Sequence, residues 1–214
     1  MESRWVALDV GETLVDETRV WSVWADVLGV PRLTLMAALG AEVATDGDHR
    51  NAFDIIGAPN WRDLFPQVEE VYGGFKARDL YPDALPAVHA LCAMGYRVAI
   101  LANQPARRTP ELRALGFEPD VMAMSDEMGV AKPDAAFFER GLELMRVDEP
   151  GKVAYVGDRV DNDVLPSRAV GMHAVWIRRG PWGAIQELPE EARADTMVVA
   201  SLSELVTRID DIWR

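Results

Sequence analysis

Short apolar runs that stop abruptly at a polar residue, each followed by a stretch of helical period, constrain this chain more than any other feature. The first is SRWVALD, residues 3 to 9, which GETLVDET breaks as a turn would. Later runs are RVAILA (Arg97 to Ala102), DVMAM, KVAYVGD and HAVWI. Between and after them, helical spacing is predicted over 84 to 94, near 107 to 115, over 134 to 146 (Phe138, Leu142 and Met145 on one face), from about 162, and through Leu202, Leu205 and Ile209. Apolar runs without polar alternation belong to strands buried on both faces, and strands alternating with helices imply a parallel sheet covered on both sides. The expected fold is therefore α/β, with a doubly wound, parallel-sheet (Rossmann-like) core.

One segment departs from this alternation. From about residue 16, Val20, Trp24, Val27 and Leu28 share a helical face; Gly29-Val30-Pro31 interrupts, and Met36, Leu39 and Val43 resume the period. A third apolar stretch runs from Trp61 to Phe75 before the Pro-rich LYPDALP. Residues 16–79 read as an all-helical insertion, and residues 1–15 with 80–214 as the core. The tract RRGPWGAIQELPEEARAD, rich in charge, Gly and Pro, reads as a surface connection. Trp21, Trp24 and Trp61 sit among apolar residues at helical spacing and are expected in the core rather than on a ligand.

The chain has 214 residues and a formal net charge of −13, which disfavours nucleic acid and anionic membrane as partners, since both select basic patches. No apolar run approaches the roughly 20 residues that cross a bilayer, and MESRWVALDV carries no basic leader, so a cytoplasmic protein is expected. The single cysteine, Cys92, lies in AVHALCAMG and is expected as a small buried hydrophobe. His49, His89 and His173 are scattered without ligand spacing, which speaks against a zinc site.

Ligands of open parallel sheets bind beyond the carboxyl ends of the strands, which directs attention to Asp9, Asn103, Lys132, Asp158 and Asp163. Taken singly, each has an ordinary structural reading: an Asx turn, a helix cap, a helix N-terminal acid or a solvated lysine. Taken together they conflict, because three carboxylates at neighbouring strand ends repel one another unless a cation lies between them. Hard oxygen ligands suit Mg2+, and a lysine beside them can hold a phosphoryl group and an attacking carboxylate in register.

In this arrangement the sequence resembles the haloacid dehalogenase superfamily. WVALDVGETL stands for its first motif, AILANQP for the second, GVAKPDAAFF for the third and VGDRVDND for the fourth, in order along the chain. The resemblance implies that residues 16–79 form a small all-helical cap domain inserted after the first strand. It also implies a Mg2+-dependent phosphatase acting on a small phosphorylated metabolite. Asp9 is then nucleophile and metal ligand, Lys132 its orienting and phosphate-binding cation, and Asp158 and Asp163 metal contacts; the Gly11 carbonyl faces the metal, and Asn103 lies beside the phosphate-binding turn.

Two positions depart from the family pattern. The acid expected two residues after the nucleophile is Gly11, which cannot transfer a proton; general acid catalysis is worth about 10²- to 10⁴-fold. Glu12 is the candidate substitute. Ala102 stands where a Ser or Thr hydroxyl would bind the phosphoryl group, a donor worth about 1.5–3 kcal/mol to a charged partner. Two alternatives therefore stay open: a catalytically weak metabolite-binding or regulatory protein, and a 2-haloacid dehalogenase, against which the two acids of VGDRVDND argue.

Overall fold

The computed structural model of the protein describes residues 4–214. Residues 1–3, which open the expected core segment and include Ser3 of the first apolar run, lie outside the described residues. Among the described residues, six strands form one parallel sheet: β1 (Trp5–Leu8), β2 (Arg97–Ala102), β3 (Val121–Met124), β4 (Val153–Gly157), β5 (His173–Ile177) and β6 (Thr196–Val199), in the order β3-β2-β1-β4-β5-β6. Between β1 and β2 come α1 (Thr18–Leu28), α2 (Arg32–Val43), α3 (Ala52–Ile55), α4 (Phe65–Tyr72) and α5 (Ala84–Ala93). The remaining helices are α6 (Arg108–Ala114), α7 (Ser125–Met128), α8 (Ala135–Met145), α9 (Leu165–Ala169), α10 (Gly180–Ile185), α11 (Glu190–Arg193) and α12 (Leu202–Arg208).

The strand period of two divides the core between the sheet's faces. Val6, Leu8, Val98, Ile100 and Val156 point to one side, where they pack with Val88 and Leu91 of α5 and Leu202 and Leu205 of α12. Trp5, Ala7, Ala99, Leu101 and Tyr155 point to the other and meet Phe137, Phe138 and Met145 of α8. Both faces are thus closed, as the unbroken apolar runs require.

The helices between residues 18 and 72 enclose a separate cluster around Trp24, Leu35, Leu39, Phe53 and Val68. Glycines in the left-handed region stop two of them: Gly29 ends α1 at φ 69° and Gly73 ends α4 at φ 62°. The two chain crossings into this unit are tied together, with Asp16 N–H donating to Asp79 C=O (2.7 Å) and Tyr81 N–H to Leu14 C=O (3.0 Å). Arg19 reinforces the junction, its guanidinium donating to both Asp79 carboxylate oxygens and to the carbonyls of Tyr72 and Gly74.

Four details differ from expectation. Cys92 is exposed, because Ala84, Ala87, Val88 and Leu91 take the inward face of α5. Leu35 rather than Met36 occupies the buried position on α2, with Met36 half-buried. The tract expected as a surface connection contains α10 and α11, and it buries Trp182 against the Trp24 cluster and Leu188 and Ala192 against Trp176. Finally, a π turn over Val160–Val164 precedes α9.

Candidate active site

β1 and β4 are adjacent although the chain visits β2 and β3 between them, so the sheet reverses its direction of growth at this pair. A crevice forms at such a switch point beyond the strand ends. Leu8 lies in register with Val156, and Asp9 N–H donates to Val156 C=O (2.9 Å), which sets Asp9 beside the chain leading to Asp158.

The π turn carries Asp163 back to the same place. Both Asp163 and Val164 N–H groups donate to Arg159 C=O, while Asp163 Oδ2 accepts from Arg159 N–H at 3.0 Å. Asp163 is fully buried. Lys132 enters from the loop between α7 and α8, where Asn103 clasps its backbone: Lys132 N–H donates to Asn103 Oδ1 (2.8 Å) and Asn103 Nδ2 donates to Lys132 C=O (2.9 Å). The Asn103 side chain is thus committed to the lysine's backbone. Lys132 Nζ lies 2.8 Å from Asp9 Oδ1 and 2.5 Å from Asp163 Oδ1.

Burial sets the electrostatics. It pushes the Asp9 carboxyl up to about 6 against the opposing pull of Lys132. Asp158 is held well above the usual carboxylate range by burial and then by the charges of Asp163 and Asp9. For Lys132, burial disfavours the ammonium, but the carboxylates of Asp163 and Asp9 outweigh it and keep the lysine charged.

Asp9, Asp158 and Asp163 each offer an oxygen within 4.8 Å of the others. Among the described residues, Asp158 Oδ2 is buried without a hydrogen-bond partner. One ammonium cannot balance three clustered carboxylates, and a buried anionic oxygen without a partner is costly. The all-oxygen donor set therefore fits a hard divalent cation.

A cavity of about 130 Å³ opens over this cluster, and Gly11 lines it. A cavity of about 150 Å³ holds a benzene-sized molecule, so the enclosed space is small. Its far wall comes from the helical segment and α10: Trp21 meets His49 edge-on at 6.2 Å, and His49 meets Trp182 edge-on at 6.0 Å. The Arg159 guanidinium lies over the Trp182 ring at 4.9 Å and beside His49 Nδ1 at 3.5 Å. His49 is held neutral down to about 4, by burial first and by the Arg159 charge second. Trp21 is therefore pocket wall, whereas Trp24 is core and Trp61 stacks on Phe53.

Glu12 adopts φ 50°, and both its oxygens are engaged: Oε1 accepts from Glu17 N–H (2.9 Å) and Oε2 from the Tyr81 hydroxyl (2.5 Å). Glu17 lines the cavity as well, its carboxyl pushed up to about 8 by burial, then by the charges of Glu12 and Asp9. Ala102 is buried at the end of β2. Sequence reading missed Glu17, His49, Arg159 and Trp182. Only Trp182 carried a local signal, as a large aromatic residue inside an otherwise polar tract.

A haloacid dehalogenase-like hydrolase family profile matches residues 4–171. Among curated relatives, a glyceraldehyde 3-phosphate phosphatase of Methanocaldococcus jannaschii is 30% identical over 135 residues, covering 62% of this chain and 57% of the relative. A phosphoserine phosphatase of Thermus thermophilus is 29% identical over 175 residues, covering 73% of this chain and 68% of the relative. The match thus spans little more than half the length of the first of these relatives. Among solved structures, a HAD phosphatase from Thermococcus onnurineus aligns with TM-score 0.62 and 25% identity over 98% of both chains. An L-2-haloacid dehalogenase aligns with TM-score 0.66 and 20% identity over 97% of this chain and all of the other, a likeness of fold alone. Shared fold, a family profile covering most of the chain and a switch-point crevice with a clustered acidic trio agree: the chain belongs to the haloacid dehalogenase-like hydrolase family.

Proposed function

We propose that the protein is a Mg2+-dependent phosphatase of small phosphorylated metabolites, with residues 16–79 as a cap domain over the core formed by 1–15 and 80–214. The observation that carries this reading is the Lys132 ammonium bonded to both Asp9 and Asp163 beside the partnerless Asp158 oxygen. Asp9 attacks phosphorus, the leaving oxygen departs, and water then hydrolyses the aspartyl-phosphate. Lys132 holds the Asp9 carboxylate in its charged form and directs one oxygen. The cation would be held by Asp9, Asp158 and Asp163 with the Gly11 carbonyl. When bound, Mg2+ supplies neutralisation of the phosphoryl oxygens' charge. The named activities of the phosphatase relatives support a phosphorylated substrate, and the small cavity supports a short one.

Dehalogenases share the fold, so fold does not choose between displacement at phosphorus and at carbon. The acidic trio supports displacement at phosphorus, since displacement of halide has no need of a divalent cation. Ala102 leaves the strand end without a hydroxyl, which should weaken phosphate binding by about 1.5–3 kcal/mol. Incubation with acetyl phosphate, followed by acid quench and mass measurement, tests the reading. A phosphoryl adduct on Asp9, absent in Asp9→Asn and in EDTA, is expected; halide release from 2-chloropropionate without any phosphoryl adduct would overturn it.

A further inference from the structure

The missing side chain at position 11 leaves a space, and another residue fills it. A Cβ built on Gly11 would fall 2.6 Å from Glu17 Oε1, closer than unbonded atoms approach, and 3.0 Å from Glu17 Cδ, a tight contact. The Glu17 carboxyl therefore stands where a side chain two residues beyond Asp9 would extend, and it lines the same cavity as Asp9 and Lys132. Glu17 reaches this position from just before α1, the first helix of the inserted segment. Three contacts hold it: its N–H donates to Glu12 Oε1, the Trp21 side chain hydrogen-bonds its carboxyl, and Gln104 Nε2 approaches Glu17 Oε1 at 3.5 Å. Glu12 cannot serve in its place. Its oxygens are taken by Tyr81 and by the Glu17 N–H, and it is walled in so closely by Gly180 that a Cβ there would lie 2.5 Å from Glu12 Oε2.

We propose that Glu17 is the general acid and base of this active site, replacing through space the carboxyl that position 11 lacks in sequence. The inference rests on the phosphatase reading. In the first step an Asp9 Oδ–P bond forms as the P–O bond to the leaving group breaks, and the Glu17 carboxyl hydrogen passes to the departing alkoxide oxygen. In the second, the Glu17 carboxylate takes a proton from the water that attacks the aspartyl-phosphate, so phosphate leaves and Glu17 is protonated again. Leaving-group dependence distinguishes this from space filling: a filler needs only volume, whereas a proton donor must matter in proportion to the basicity of the leaving group.

The test compares glycerol 3-phosphate, whose alkoxide needs a proton, with p-nitrophenyl phosphate, whose phenolate does not, in Mg2+ with wild type, Glu17→Gln, Glu17→Ala and the double variant Gly11→Asp/Glu17→Ala. In Glu17→Gln, kcat/KM for glycerol 3-phosphate is expected to fall by about 10²-fold or more. For p-nitrophenyl phosphate kcat/KM should change little, with a burst of p-nitrophenol equal to the enzyme because the second step is slowed. Gly11→Asp/Glu17→Ala returns a carboxyl to the vacated space and should recover at least about tenfold over Glu17→Ala on glycerol 3-phosphate, part of the general-acid contribution. Equal losses on both substrates in folded Glu17→Gln, no loss on either, or no recovery in the folded double variant would overturn the assignment. If wild type hydrolyses neither substrate, or Asp9→Asn hydrolyses them as well as wild type, the phosphatase reading itself fails.

Discussion

Gly157 and Asp163 are packed so closely that a Cβ on the glycine would lie 2.3 Å from Asp163 Cγ. Position 157 ends β4, and only a residue without a side chain lets the π turn bring the Asp163 carboxyl back onto Lys132. Gly157→Ala must push Asp163 outward or bend the turn. Overpacking of this kind costs about 1–3 kcal/mol. Loss of a residue that orients a site commonly costs roughly 10- to 100-fold in activity. Urea unfolding and kcat/KM, measured together, are expected to show both losses.

A cation held by the acidic trio, as proposed, predicts a fold that responds to a divalent cation. Binding confined to the folded state stabilises by about 2.7 kcal/mol when the ligand is at 100 times its Kd. Mg2+ should therefore raise the melting temperature in proportion to the logarithm of its concentration. Asp158→Asn removes the carboxyl that burial and the charges of Asp163 and Asp9 keep from ionising. In EDTA this variant is expected to melt at or above wild type, because the cost of burying that carboxyl beside two others is gone, and in Mg2+ it should gain little. A wild-type melting temperature indifferent to Mg2+ would count against the site.

Arg19 and Asp79 hold the two crossings between core and inserted helices together. Both carboxylate oxygens are occupied, and the Asp79 side chain is 2% exposed. Removing one partner of a buried pair costs about 3–5 kcal/mol, and the partial exposure of Arg19 places Asp79→Asn toward or below the lower end. Burial raises the Asp79 carboxyl, but the Arg19 hydrogen bond, the Lys76 N–H and the Arg19 charge together more than offset this, so it lies below its ordinary value. The pair's contribution is thus full at neutral pH and fades as pH falls through that lowered value. The stability gap between wild type and Asp79→Asn should accordingly narrow below about pH 4, the ordinary aspartate value.

How much of this was legible in the sequence depended on whether the information was local. β2 and β5 carry their whole signal in one apolar run, and their boundaries match expectation. Asp9, Asp158 and Asp163 declared themselves by ending or following such runs, and the sheet order brings them together. β6 was not recognised as a strand, because TMVV is short and half its positions are only partly buried. Glu17 is a different case: nothing in GETLVDET says that its carboxyl folds back over Gly11, since that contact depends on a left-handed residue at Glu12 and on the packing of α1. Trp182 likewise meets its partners through a contact across the fold, in a tract whose composition reads as loop.

On the phosphatase reading, the wall opposite the acidic cluster is expected to limit substrate size. Trp21, His49 and Trp182 stand edge to face and leave a cavity of about 130 Å³, enough for a phosphoryl group with a short carbon chain. His49→Ala removes the middle ring of this wall without touching Asp9 or Lys132. The variant is expected to improve kcat/KM for a nucleoside monophosphate relative to glycerol 3-phosphate by about tenfold, within the roughly 10- to 200-fold that small pocket changes deliver. Trp21→Ala is the less clean variant, because Trp21 also stacks on Phe53 at 6.0 Å and hydrogen-bonds the Glu17 carboxyl, so it should lower stability and turnover as well. Since His49 stays neutral down to about 4, the wild-type preference between the two substrates should be flat across roughly pH 5 to 8, where an unshifted histidine would titrate. Because Asp9 and Glu17 also titrate in or near that window, only a preference that follows a titration there in wild type and loses it in His49→Ala would assign His49 a charged role in binding instead of a steric one.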